Sequence, residues 1–257
     1  MKKTLINIPV IASLFLMASC STEKDEISAE KFKQQLAESY LYYPIALGNS
    51  WTYQIDSIYY SDNLGNIEID TVSGLYRETL TDTFRTEDNS LIYRCIKEKK
   101  DAASGAWNVL RTYSLMLLER QLVRTEENTP LIDLIFPLND QSSWDPCAYI
   151  DANANFLVRG KGIQLFKDWP PSYVERITKE NILGQDRKIA EVTDIEPDDN
   201  IILYQSSKRR YAQGLGLIYK EQSFFTTQKT ELADSPWEEK AEIGFKSYQT
   251  LIEFKQK

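Results

Sequence analysis

Trp51-Thr52-Tyr53-Gln54-Ile55-Asp56 alternates large apolar side chains with polar ones. In an extended chain successive side chains point to opposite faces, so this stretch reads as a half-buried β-strand. The same period of two recurs in Leu91–Lys97, Tyr173–Thr178, Lys188–Thr193 and Tyr248–Phe254. Turn-forming clusters stand between such runs: Asp62-Asn63-Leu64-Gly65-Asn66, Glu87-Asp88-Asn89-Ser90, Ala103-Ser104-Gly105, Leu183-Gly184-Gln185-Asp186 and Pro197-Asp198-Asp199-Asn200. Short strands punctuated in this way predict a mainly β fold, a curved multi-stranded antiparallel sheet, half-barrel or sandwich-like. Half-polar strands place one face on a core and the other in water or against a polar ligand. Leu115-Met116-Leu117-Leu118 is the most apolar run of that region and reads as a buried strand. Trp51, where loop gives way to alternation, is expected in the core.

Ahead of Tyr43-Pro44 the period changes. Phe32, Leu36 and Tyr40 are spaced by four and form one helical stripe, predicting a short N-terminal helix from about Ala29 to Ser39. Ser28 followed by Lys31 makes no capping box, so the helix start is poorly defined. One pattern occurs twice: Tyr43-Pro44-Ile45 precedes Ser50-Trp51, and Phe136-Pro137-Leu138 precedes Ser143-Trp144 at the same spacing. Two readings stay open, a β domain over residues 41–257 built from related halves (41–135 and 136–257), or coincidence.

Composition excludes more than it selects. The 257 residues include 38 acidic and 30 basic side chains, a net charge of -8. With no basic excess to neutralise phosphates, nucleic acid is not an expected partner. Histidine is absent, which removes serine–histidine, cysteine–histidine and histidine–zinc chemistry. No pattern for a cofactor or a metal is legible.

Lys2 and Lys3 precede the apolar stretch Leu5–Met17, which is too short for a bilayer span of roughly 20 residues. It reads as a secretory signal. Leu16-Met17-Ala18-Ser19-Cys20 resembles the lipobox of bacterial lipoproteins, with Met17 standing where that family more often carries leucine. The resemblance implies removal of residues 1–19 and acylation of Cys20, a membrane partner through that lipid, and a lipidated tether and short helix over 20–40. Glu23-Lys24-Asp25-Glu26 behind the cysteine is similar to the surface-export signals of Bacteroidetes-type envelope lipoproteins. That implies an outer-membrane lipoprotein on the cell surface, with the periplasmic face as the alternative.

Tyr43–Tyr53 and Tyr211–Glu221 also resemble segments of bacterial envelope lipoproteins of unknown function, which begin with P-L-x-x-G-x-x-W-x-Y and later carry a G-x-G-L-x hairpin. Some related proteins fold as a strongly curved antiparallel sheet wrapped around a helix. No catalytic residue comes with this resemblance.

Cys95 and Cys147 are expected to be free buried thiols, a disulfide being the alternative in an oxidising envelope. Asp194-Ile195-Glu196-Pro197-Asp198-Asp199-Asn200 spaces its oxygens as a calcium loop does, but lacks the sixth-position glycine and the closing glutamate, so it reads as a solvated acidic turn. Gly214-Leu215-Gly216 reads as a turn or bulge, not a phosphate loop. Lys167-Asp168-Trp169-Pro170-Pro171-Ser172-Tyr173 is the most site-like segment, because two prolines stiffen a loop that carries two aromatics. Two readings stay open: Trp169 plugs the edge of the core, or, if there is a ligand, Trp169 stacks on it, Tyr173 supplies an amphipathic edge, and Lys167 and Asp168 bond its hydroxyl groups. The expected role is a non-catalytic envelope binding or assembly module for a glycan, a lipid or a partner protein. A carboxylate-dependent hydrolase, such as a glycosidase, and a structural scaffold are the alternatives.

Overall fold

The structure, a computed structural model, describes residues 28–158 and 160–257. Cys20 and the predicted signal peptide lie outside the described residues. The strands in chain order are β1 (Ser50–Asn63), β2 (Asn66–Arg85), β3 (Leu91–Lys100), β4 (Trp107–Leu117), β5 (Gln121–Glu126), β6 (Thr129–Ile135) and β7 (Ser143–Trp144). There follow β8 (Phe156–Val158), β9 (Lys161–Ile163), β10 (Ser172–Ile182), β11 (Gln185–Asp199), β12 (Leu203–Ala212), β13 (Gly216–Thr226) and β14 (Ile243–Lys255). Strands hold 59% of the described residues, against helices of 12 and 4 residues, α1 (Ala29–Tyr40) and α2 (Trp237–Lys240), so the mainly β expectation holds.

Twelve strands form one antiparallel sheet in the order β6-β5-β4-β3-β2-β1-β14-β13-β12-β11-β10-β7, while β8 and β9 make a separate hairpin. Strands of residues 50–135 thus run contiguously on one side of the β1/β14 junction, and those of residues 143–255, β8 and β9 aside, on the other. The sheet curls until its edges approach: Ile132 on β6 donates its N–H to Pro146 O at 3.0 Å, just beyond β7. Two-residue hairpins keep the strands in register. At Leu64-Gly65 both residues take positive φ, 52° and 92°, a turn whose twist matches that of the flanking strands.

The two proline–tryptophan segments close in the same way. Asn49 N donates to Ala46 O and Ser142 N to Asn139 O, each at 3.1 Å. Asn49 Nδ2 reaches back to Pro44 O at 2.9 Å, and Ser142 Oγ to Pro137 O at 3.4 Å. Each tryptophan that follows is buried and bonds a backbone carbonyl through its indole N–H, Trp51 to Leu215 and Trp144 to Ile132. The segment after Tyr43 and the one after Tyr211 dock together. Besides the Trp51 bond, Tyr53 Oη donates to Leu217 O at 3.2 Å. Gly216, at φ +87°, leaves so little room that a Cβ there would stand 3.3 Å from Trp51 Nε1.

α1 begins at Ser28, whose hydroxyl caps Lys31 N at 3.3 Å, so the start is defined after all by a cap without the reciprocal glutamate. The helix is not enclosed by the sheet as the resemblance implied. Most of its residues are exposed, and it lies across one end of the curl, where Leu36 and Tyr40 pack on the core. Tyr40 Oη bonds Glu119 O at 2.7 Å, Leu138 N bonds Ser39 Oγ at 2.9 Å, and Gln213 Nε2 bonds Glu38 O at 3.2 Å. Hairpin registers put the β1–β2, β3–β4 and β11–β12 turns at the opposite end.

Candidate functional site

Three layers succeed one another inside the curl. Next to α1 lies an apolar core that includes Trp51, Leu80, Cys95, Leu115, Leu134 and Ile189. Above it runs a belt of buried charge. Above the belt the concave face opens into cavities, and the connection from β7 to β10, residues 145–171, lies across them as a strap. Ile163 of the strap packs on Phe224 and Phe245 of the inner wall. Phe166 meets Phe156 at 4.9 Å and Trp169 at 5.0 Å.

The belt has two centres. Glu78, 2% exposed, accepts Tyr113 Oη at 2.7 Å and Arg124 Nη2 at 3.3 Å, and pairs with Lys97 Nζ at 3.3 Å. Burial pushes the Glu78 carboxyl up, but Arg124, Lys97 and the tyrosine hydroxyl outweigh it and bring it down to about 2. The second centre is Arg209, which holds Asp194 through Nε at 2.8 Å and Nη2 at 2.6 Å, and Asp133 through Nη1 at 3.2 Å. Ser172 and Ser207 add hydroxyl donors to Asp194 at 2.7 and 3.1 Å. Pairing between β11 and β12 shifts register at Thr193/Ile195, and this bulge turns Asp194 inward. The solvated acidic turn expected from Asp194 onward is therefore corrected: Asp194 is a buried ion-pair partner, and β11 continues to Asp199. Among the described residues no cluster of three or more acidic or thiol side chains could hold a metal ion.

Two adjoining cavities open above the belt, of about 380 and 400 Å³. That is the size that receives a small ligand. They share Arg111, Glu126, Lys220 and Gln222. The first has an apolar wall of Phe156, Leu165, Phe166 and Trp169 supplied by the strap. The second has a neutral polar wall: Gln222, Ser247 and Ser57 stand opposite one another on β13, β14 and β1, and the two serine hydroxyls meet at 2.9 Å. Trp169 Nε1 is buried and has no hydrogen-bond partner. Buried donors are nearly always paired; Arg187 Nε and Arg210 Nε lack a hydrogen bond too, but of the three donors only Trp169 belongs to a residue that lines these cavities.

Of the segment singled out in the sequence, the structure brings Trp169 into the cavity wall and leaves its neighbours outside the lining. Lys167 and Asp168 are exposed in the turn before it, and Tyr173 bonds Glu196 from the start of β10. Cys95 and Cys147 are both free and buried. Burial pushes each thiol up to about 12, so neither is a reactive thiolate. Arg209, Arg124, Glu78 and Lys220 escaped the sequence reading, and Asp194 entered it only as the start of a solvated acidic turn. For Arg209 the one signal is the alternation Gln205, Ser207, Arg209, Tyr211 in β12, whose polar members face inward.

No protein-family model matches the chain, and no curated protein matches it. Solved structures similar in fold include two from Bacteroidetes. One is described as a "putative lipoprotein" from Parabacteroides distasonis, 10% identical, covering 83% of this chain and 98% of that one at a TM-score of 0.33. The other is a "putative exported protein with YmcC-like fold" from Bacteroides fragilis, 13% identical, covering 83% and 98% at a TM-score of 0.32. Both come from Bacteroidetes, and scores this low carry no role from either protein to this chain.

Proposed function

We propose that the chain is a lipid-anchored, non-catalytic binding module of the outer membrane that holds a glycan in the cavities beneath the strap. The observation that carries the reading is the buried, unpaired indole N–H of Trp169 in a cavity wall. An unsatisfied buried donor costs about 1–3 kcal/mol, which a ligand oxygen relieves once the indole turns its N–H into the cavity. Hydroxyl and amide groups of Ser57, Ser247 and Gln222 nearby suit a polyhydroxylated ligand, and the Trp169 ring offers a stacking face.

The carboxylates around the cavities support binding over hydrolysis. Asp133 and Asp194 share Arg209, and Glu126 pairs with Arg111 and Arg124. A glycosidase needs one carboxyl protonated to act as general acid. Burial opposes ionisation of Glu126, but Arg124 and Lys97 hold its carboxyl below the usual range.

The described chain begins at the α1 end, opposite the cavities. Mass spectrometry of membrane-extracted protein tests the anchor: acylated Cys20 with residues 1–19 removed is expected, and soluble protein with an unmodified Cys20 overturns it. Protease shaving of intact cells separates the surface, where the protein is lost, from the periplasmic face, where it survives. A glycan array followed by titration of Trp169→Ala tests the site. Bound glycans should lose at least tenfold in affinity, and an unchanged affinity removes Trp169 from the site.

A further inference from the structure

The cations that line the two cavities are engaged, with one exception. Arg111 pairs with Glu126 and Glu127, Arg124 with Glu78 and Glu126, Arg209 with Asp133 and Asp194, and Lys97 with Glu78. Lys220 lines both cavities and has no ion-pair or hydrogen-bond partner among the described residues. Its position makes that isolation costly. On β13 it stands directly opposite Arg209 of β12, and on its other side opposite Gln249 of β14, so its nearest cross-strand charge is another cation. Like charges directly opposite in a sheet repel. Asp194 and Asp133 are near enough to act on it, but both are bound to the Arg209 guanidinium. Arg124 adds a second repulsive charge from β5.

From this we infer that the ligand is anionic: an acidic glycan whose carboxylate, or ester-linked phosphate or sulfate, seats on the Lys220 ammonium where the two cavities meet. The inference rests on the reading of the cavities as a glycan site and narrows its substrate class. An anion placed there gains a charge-assisted bond to a cation that the protein leaves uncompensated. Arg111, also shared by both cavities, lies at the same junction with one of its partners, Glu127, largely exposed. The sugar ring then extends under Trp169 on one side and along Ser57, Ser247 and Gln222 on the other. A lysine suits this task better than an arginine, because a compact ammonium on a flexible stem accepts an anionic group without demanding a planar bidentate partner. The chain as a whole is acidic, so the cation is a local device and not part of a basic surface.

The test is a glycan array carrying each acidic glycan beside its neutral counterpart, with carboxylates methyl-esterified or sulfate and phosphate removed, probed with wild type, Lys220→Met and Lys220→Arg. Acidic members are expected to bind at least tenfold more tightly than their neutral counterparts. Lys220→Met should erase that preference, Lys220→Arg should keep most of it, and raising salt from 50 to 500 mM should weaken the acidic members selectively. The thermal midpoint of Lys220→Met, read alongside, confirms that the variant is folded. Equal binding of acidic and neutral members, or a preference that survives in Lys220→Met, overturns the role of Lys220 and leaves the cavity reading standing. Binding of no glycan at all overturns both.

Discussion

The Arg209 guanidinium holds both oxygens of Asp194, through Nε at 2.8 Å and Nη2 at 2.6 Å, and both side chains are buried at the floor of the cavities. A buried pair of this kind contributes little net stability compared with well-packed apolar residues, but breaking it on one side leaves a stranded charge. Arg209→Met should therefore cost about 3–5 kcal/mol in urea melts. The double variant Arg209→Met, Asp194→Leu should recover most of that loss. A single variant as stable as wild type would mean that the pair is solvated.

Glu78 makes acid unfolding predictable in sign. Its carboxyl is held near 2 in the folded protein against an ordinary value of 4.5. A depressed carboxylate contributes stability that is fully present above its unfolded value and is lost as pH falls towards the folded one. Stability should thus decline between about pH 4.5 and pH 2, and Glu78→Gln should flatten that decline while lowering stability at pH 7. Urea midpoints measured across the range check this. A decline of equal steepness in the variant would place the acid-labile group elsewhere.

Lys220 carries the opposite sign. Burial, and after it Arg209, press its ammonium below the ordinary lysine value, against a smaller pull from Asp194 and Asp133. A folded lysine with a lowered value destabilises the protein while it is charged, and the penalty disappears as pH rises through the window between the folded value and 10.5. Lys220→Met should accordingly stabilise the protein at pH 7, by about 0.5–2 kcal/mol, as removal of a strained functional group commonly does. Calorimetry reads the midpoint. A destabilised variant would mean that the ammonium has a partner.

Trp51 sits 2% exposed at the start of β1, and its indole N–H is bonded to Leu215 O. Trp51→Ala should cost about 3–5 kcal/mol, the range of large aromatic truncations in cores. It also leaves a buried carbonyl unpaired and loosens the docking of the β12–β13 turn on the first strand. A loss under about 1 kcal/mol in denaturant melts would contradict this.

The fold class was legible because alternation is a backbone-level signal. Each of the five alternating stretches read from the sequence lies in a strand, and Phe32, Leu36 and Tyr40 form a half-buried stripe on α1. What alternation cannot supply is which face turns inward. In β12 the polar members Gln205, Ser207 and Arg209 face the interior, because the curl is too wide for side chains of one layer to fill and its upper half stays polar. The bulge that aims Asp194 inward is a single-residue register change, invisible to a period-2 reading. β2 escaped notice although Ile67 and Ile69 alternate with Glu68 and Asp70, because its outer half, from Asn66 to Ser73, is mostly exposed, with only Ile67 and Val72 half-buried, and it is held mainly by its long pairing with β1. The strap was legible only in part. Its prolines and aromatics marked Trp169, while the long-range packing that lays Trp169 over the cavity has no local signature.

The most direct test of the cavity as a glycan site is the indole N–H resonance of Trp169 in the 15N-labelled protein. It is assigned among the 5 tryptophans through Trp169→Phe, and followed as a glycan that binds on the array is added. The Trp169 resonance should move downfield as its unpaired donor gains an acceptor, while those of Trp51 and Trp144, already bonded to backbone carbonyls, stay in place. A bound glycan that leaves the Trp169 resonance unmoved would contradict the assignment of this cavity as the site.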